Sequence, residues 1–379
     1  MLSKAAGLWL LALAILPAQQ MPLDPQSSVR INLPDDSPVS LLKADLGESR
    51  ATARGSAMVI DLQMVLSLRN AHPSRIRGVT LLVLAQEVTP GGKASVTVPS
   101  LDVASGAVFP VRIDLRLLRP AQIMGGPLVQ VNLDGVLFQD LSFYGPNRLD
   151  SRRTLTAWEL EARRDRAHFK SVLAAAGPAG LQREILARMA QEQERPRLNV
   201  RVVRGPSVTS AALGPEREAQ FAFLKFPDSP VQPIEGSARI VGSEAREPRI
   251  QVRNRSAKPV RYVEIGWIVK DRRGSEFMAA SLPASEPRLQ LAPGRTGHIL
   301  QDTALQFSRN GGEPVEIAGM TGFVSQVEFA DGGIWIPNWD LLAEAQLLRI
   351  LAPSPEEQRL TDIYRKKGVQ AVVLELAKY

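Results

Sequence analysis

One stretch of this chain occurs twice. Leu66-Ser67-Leu68-Arg69-Asn70 lies over Ile250-Gln251-Val252-Arg253-Asn254. The match continues without a gap through Ile76-Arg77-Gly78-Val79 over Val260-Arg261-Tyr262-Val263, as far as Ala85 over Val269. Four of these 20 positions are identical, and six more exchange one aliphatic residue for another. Upstream, Gly55-Ser56-Ala57 matches Gly236-Ser237-Ala238. Downstream, Gly106 and Asp114 match Gly294 and Asp302, and Leu133-Asp134-Gly135 matches Ala330-Asp331-Gly332. Because the matches fall in one order, they predict an internal duplication. The fold must then be one that 379 residues can contain twice.

Each copy reads as antiparallel β. Ile60, Leu62, Met64, Leu66 and Leu68 alternate with mostly polar residues, as do Val111, Ile113, Leu115 and Leu117. Period two sends one set to a core and the other to water. Val79 to Leu84 is apolar at nearly every position, the pattern of a central strand covered on both faces. Val263, Ile265, Trp267 and Val269 take that part in the second copy. Pro90-Gly91-Gly92, Asp134-Gly135, Asn310-Gly311-Gly312 and Asp331-Gly332-Gly333 supply turn chemistry between strands. Short strands at this spacing predict two tandem immunoglobulin-like antiparallel β-sandwiches.

Helices are expected after each sandwich. From Thr154 to Val172 the residues Leu155, Trp158, Ala162, Phe169 and Val172 form one stripe. After Gly177-Pro178, Leu181, Ile185 and Met189 continue it up to Pro196. The tail follows the same plan. Leu341, Ala345 and Leu348 make a stripe, and Ser354-Pro355-Glu356-Glu357 is a capping-box start with Pro at N1. Leu360, Ile363 and Tyr364, then Val369, Val372, Val373 and Leu376 beyond Gly368, complete the tail helices. The expected organisation is a signal peptide at 1–18, sandwich one at 19–148 and a helical hairpin at 149–196. A linker strand with sandwich two follows at 197–338, then C-terminal helices at 339–379.

The N-terminus predicts an extracytoplasmic chain. Met1-Leu2-Ser3-Lys4 is a positive start, Ala5 to Leu16 an apolar run, and Pro17-Ala18-Gln19 a break, which together read as a secretory signal peptide with Ala18 the best-placed cleavage position, an uncleaved N-terminal anchor being the alternative. No later run is long enough to span a bilayer as a helix, so no integral span is expected beyond the signal segment. With 46 Lys and Arg against 39 Asp and Glu, the formal charge is +7, and only ten of the cations are Lys. Acids and bases are interspersed, as along Glu159 to Arg166, so the charge reads as solvated surface and nucleic acid is not an expected partner.

The composition excludes several chemistries. Zero Cys removes disulfides, thiolate metal sites and cysteine nucleophiles. The three His, His72, His168 and His298, lie far apart in sequence, and no Gly-x-Ser-x-Gly elbow is present. Phosphate-binding, dinucleotide-binding and calcium-loop motifs are absent. No catalytic residue, metal ligand or cofactor is therefore expected. Asp114 and Asp302, at matching positions, are the carboxylates a hydrolase reading would use. Trp335 and Trp339 flank Pro337-Asn338 and are the candidate ligand-binding residues. Exposed, they could stack on sugar or anchor a partner; packed, they would close the core between sandwich and tail helix.

The run Val252-x-Asn254-x-Ser256, then Pro259-Val260, Val263, Val269, Asp271 and Gly274, resembles a strand-turn-strand pattern of bacterial extracytoplasmic Ig-like domains. The first copy keeps Asn70 but has His72 at the Ser position and lacks the Asp-x-x-Gly. The resemblance covers about 25 residues per copy and implies fold and compartment only. The expected function is a secreted or periplasmic, non-enzymatic scaffold that binds another envelope protein. A carbohydrate- or cell-wall-binding module is the alternative, with glycan as its partner, and a hydrolase with an unrecognised carboxylate site the second alternative.

Overall fold

The computed structural model describes residues 20–24, 27–122, 125–196, 198–204, 216–283, 289–300, 303–309, 312–341 and 350–379. The signal segment, Asp302, Ala345 and Leu348 lie outside them. The chain is mainly β with helices, and it divides into two compact units, Met1–Leu149 and Asp150–Tyr379.

In the first unit, β5 (Ala57–Asn70) pairs along its whole length with β8 (Val108–Pro120). It also pairs in turn with β4 (Arg50–Arg54) and β3 (Val39–Asp45), and β1 (Gln20–Pro22) adds to β4. The second sheet runs β10 (Phe143–Tyr144), β9 (Val129–Phe138), β6 (Ile76–Leu84), β7 (Lys93–Val98), with β2 (Val29–Asn32) parallel to β9. The alternating residues of β5, Ile60 to Leu68, meet Val79, Leu81 and Val83 of β6 and Val129, Val131 and Leu133 of β9 in one core. β6 lies between β7 and β9 and is buried almost throughout, which is why its sequence does not alternate.

The second unit has the same two-sheet plan. One sheet runs β11 (Leu198–Arg204), β19 (Thr303–Arg309), β15 (Glu244–Asn254), β14 (Val231–Val241), β12 (Arg217–Gln220), with β18 (Thr296–Leu300) also on β15. The other runs β13 (Ala222–Phe223), β20 (Ile317–Phe329), β16 (Val260–Asp271), β17 (Glu276–Pro283), with β21 (Ile334–Trp335) on β20. β13 is parallel to β20, as β2 is to β9. Val231, Val252, Val263, Trp267 and Leu305 lie in the core between the sheets.

The same side-chain bonds recur in both units. Asn70 is fully buried and its amide donates to the carbonyls of Ser74 and Val103, 3.0 Å each; Asn254 donates to those of Lys258 and Leu291 at 2.9 Å. The Asn70 carbonyl accepts the N–H of His72, and that of Asn254 accepts the N–H of Ser256. His72 Nδ1 then accepts the N–H of Ser74, the place that Ser256 Oγ fills toward Lys258. A ring nitrogen thus stands in for a hydroxyl.

Two expectations are corrected. Asp134-Gly135 is no turn: both residues lie inside β9, Gly135 opposite Thr80, and Asp134 accepts the backbone N–H groups of Arg148 and Leu149. The hairpin bond matching Phe329 N–H to Gly333 O is Phe138 N–H to Ser142 O, so Asp331 corresponds to Asp140 rather than Asp134. The residue before Ser142 is Leu141 in the left-handed region, where Gly332 stands in the other unit.

The helices also differ from expectation, for they do not form one appendage per sandwich. α1 (Ser151–Glu194), broken at Gly177, belongs with α2 (Pro355–Lys367) and α3 (Val369–Leu376) in the second unit. Phe169, Leu181 and Ile185 share a core with Leu360, Val372 and Leu376, because no amphipathic helix can bury its own stripe alone. Ser354 caps α2 as its sequence indicates, accepting the Glu357 N–H at 3.0 Å.

Candidate functional site

The two candidate tryptophans belong to one aromatic cluster. Trp335 ends the β20–β21 hairpin opposite Val327, and Trp339 opens a 3₁₀ turn, Trp339–Leu341. Trp339 makes T-shaped contacts with Phe226 and Phe323 at 5.1 and 5.2 Å between centroids, and Trp335 makes one with Phe226 at 6.3 Å. Ile268 and Ile350 complete this minor core. Trp335 Nε1 donates to Asp228 at 3.0 Å. In the first unit Tyr144, at the end of the corresponding hairpin, donates its hydroxyl to Asp36 at 2.6 Å. Burial, then Asp36, push that phenol up to about 12, so it remains a donor at ordinary pH. Both rings therefore clamp an Asp-Ser-Pro-Val loop, Asp36–Val39 or Asp228–Val231, against its sheet. Both tryptophans are half-buried.

Asp114 lies on the exposed face of β8, opposite Gln63 of β5. It lines a groove of about 520 Å³ with Glu48, Arg50, Arg54, Asp61 and Arg116. Asp61 stands between two guanidinium groups, Arg50 at 3.6 Å and Arg116 at 3.5 Å. Such exposed pairs contribute only about 0–1 kcal/mol to folding. The face is thus a dense pattern of forked donors and carboxylates that the fold itself barely needs. Residue spacing did not single it out, because its members come from β4, β5, β8 and the turn before β4, and β8 joins β5 only at long range. Period two did place Asp61, Asp114 and Arg116 on the water side.

A second charged cluster is buried. Glu159 accepts from Arg163 at 3.0 Å and Arg166 at 2.8 Å; Arg166 lies 3.5 Å from Glu356, which accepts from Arg359, and Arg359 reaches Glu375 at 2.6 Å. The Arg166 guanidinium lies over the Tyr379 ring at 4.1 Å. This chain of pairs ties α1 to α2 and α3. Nearby, burial, reinforced by Asp165 and Glu264, pushes Glu161 up to about 7. Burial also raises Glu264, although the Tyr262 hydroxyl donates to it at 2.9 Å, and burial raises Asp165, which accepts from Ser354. Raised carboxyls can move protons, but these line none of the open clefts described in this chain.

The histidines stand in different elements. His72 packs on Phe138 at 4.3 Å, His168 meets Glu184 at 2.9 Å, and His298 lies on β18 opposite Gln251. Among the described residues no group of three or more His, Asp or Glu could hold a metal, and no helix is long and apolar enough to cross a membrane.

No protein family matches the chain, and no curated protein does. Among solved structures, the protein named pT26-6p is 8% identical over 86% of this chain and 72% of its own, with a TM-score of 0.17. A beta-glucosidase from Kluyveromyces marxianus is 9% identical over 71% of this chain and 45% of its own, at 0.16. Scores this low carry no argument about fold or activity.

Proposed function

We propose that the chain is an extracytoplasmic, non-enzymatic interaction module built from two copies of one Ig-like β-sandwich unit. The recurring buried asparagine, the parallel strand in each second sheet and the clamped Asp-Ser-Pro-Val loop support the duplication. The observation that carries the binding role is the charged face of β4, β5 and β8, whose Arg50, Arg54, Asp61, Asp114 and Arg116 form an open groove. Forked guanidinium groups beside carboxylates suit a protein partner of matching charge pattern. The helical stripe, by contrast, is consumed in an internal core. A carbohydrate-binding role would fall to Trp335 and Trp339, which are half-buried, Trp335 against Phe226 and Trp339 against Phe226 and Phe323.

The test is a cross-linked pull-down from the native envelope fraction with the wild-type chain and an Arg50→Glu/Arg116→Glu variant. One dominant protein partner, lost or at least tenfold depleted in the variant, is the expected result. A partner captured equally by both would remove the groove from the proposal, and retention on glycan alone would replace it with the carbohydrate reading.

A further inference from the structure

The loop between β13 and β14 frames a second cleft, of about 250 Å³, that the proposed function does not use. Its apolar wall is Leu224, Phe226, Val231 and Val324, the last three almost fully buried. Lys225 and Arg255, both exposed, complete the lining. The volume is below the ~300–1,000 Å³ of drug-sized sites, so the cleft suits a short tail.

The site is built rather than incidental. Leu224 N–H donates to Gly322 O at 3.0 Å, Ser229 N–H to Phe226 O at 3.1 Å, and Ser229 Oγ to Val231 O at 2.7 Å. On the opposite side Arg255 N–H donates to Pro230 O at 2.7 Å. Trp335 and Trp339 hold Phe226 from behind.

The two cations are not required by this loop. Among the described residues neither side chain has an ion pair, and the neighbouring acid, Asp228, accepts from Trp335 instead. The first unit makes the control. Its loop closes with the same bonds, Ser37 N–H to Pro34 O and Ala71 N–H to Pro38 O, yet Leu33 and Ala71 stand where Lys225 and Arg255 do. Two exposed cations beside a buried apolar wall, absent from the equivalent loop, fit a ligand that is apolar at one end and anionic at the other.

We propose that this cleft binds a small amphiphilic carboxylate, its tail on Phe226, Val231 and Val324 and its carboxylate between Lys225 and Arg255. Isothermal titration of the full chain with octanoate and with 1-octanol tests it, using wild type and a Lys225→Gln/Arg255→Gln variant. Octanoate is expected to bind one to one, and both octanol and the double variant to weaken binding at least tenfold. Raising salt from 50 to 500 mM should weaken octanoate severalfold. Both substituted residues are exposed, so the variant should keep the wild-type melting curve. Absence of saturable octanoate binding to wild type would overturn the proposal, as would equal affinity for octanol or for the double variant.

Discussion

Single residues decide more here than their chemistry suggests. Asn254 is fully buried, donates to two backbone carbonyls and accepts from both the N–H and the hydroxyl of Ser256. Its loss removes these four hydrogen bonds, each contributing about 0.5–1.5 kcal/mol net, although the Lys258 and Leu291 carbonyls keep Ser256 Oγ and Val260 N–H as donors. Asn254→Ala should therefore destabilise its unit by about 2–4 kcal/mol in urea unfolding, and a loss under about 1 kcal/mol would show that water replaces the amide. This asparagine was legible in sequence, since Asn70 and Asn254 align between alternating strands. The Asp-Ser-Pro-Val loop was equally legible but lies upstream of the aligned stretch at a different spacing, so the alignment stopped short of it. Asp134-Gly135 misled because Asp and Gly have the same letters in a hairpin and in a strand; only the partner, Thr80, distinguishes them. Trp335 and Trp339 were legible as a pair, while the cleft they support was not, because Lys225 and Arg255 are brought together only by strand pairing.

At the level of elements, two corners of the helical cluster are alike. Gly177 has φ 63° and ψ −171°, and Gly368 has φ 78° and ψ 179°. Both lie in the region of positive φ and extended ψ that is essentially closed to residues with a Cβ. Gly177→Ala should cost about 1–3 kcal/mol, seen as a lower melting temperature of the helical signal. Gly177→Asn should not rescue it, because Asn tolerates the left-handed helical region rather than this one. Full recovery by Asn would mean the corner can rearrange. Amphipathic spacing revealed the helices and both corners. It could not reveal their partner, because a stripe records that a face is covered and not by what.

The whole second unit carries a pH dependence with a definite sign. Glu161 is held at about 7 against an ordinary 4.5, and Asp165, Glu264 and Glu357 are raised as well, burial being the leading cause in each. Between those values the folded state binds more protons than the unfolded one. Stability is therefore fullest below pH 4.5 with respect to these groups and is lost as pH rises toward 7. Glu184 and Glu375, which are lowered, lose their contribution only on further acidification. The unfolding free energy should fall by about 1–3 kcal/mol from pH 5 to 7.5. Thermal melts across that range, with Glu161→Gln giving a flatter profile, check it, and a rise in stability over the same window would refute it.

The order of the chain adds a matter of timing. The first unit can close as soon as β10 has been made, since every strand of its two sheets precedes residue 149. Phe169, Leu181 and Ile185 are made next, but the residues that cover them, Leu360, Val372 and Leu376, follow far later in the chain. At about 5–20 residues per second, ribosomal synthesis leaves this apolar stripe uncovered for on the order of ten seconds. The helical cluster therefore cannot close until about 190 residues after its first stripe has been made, and that stripe is open to misassociation while it waits.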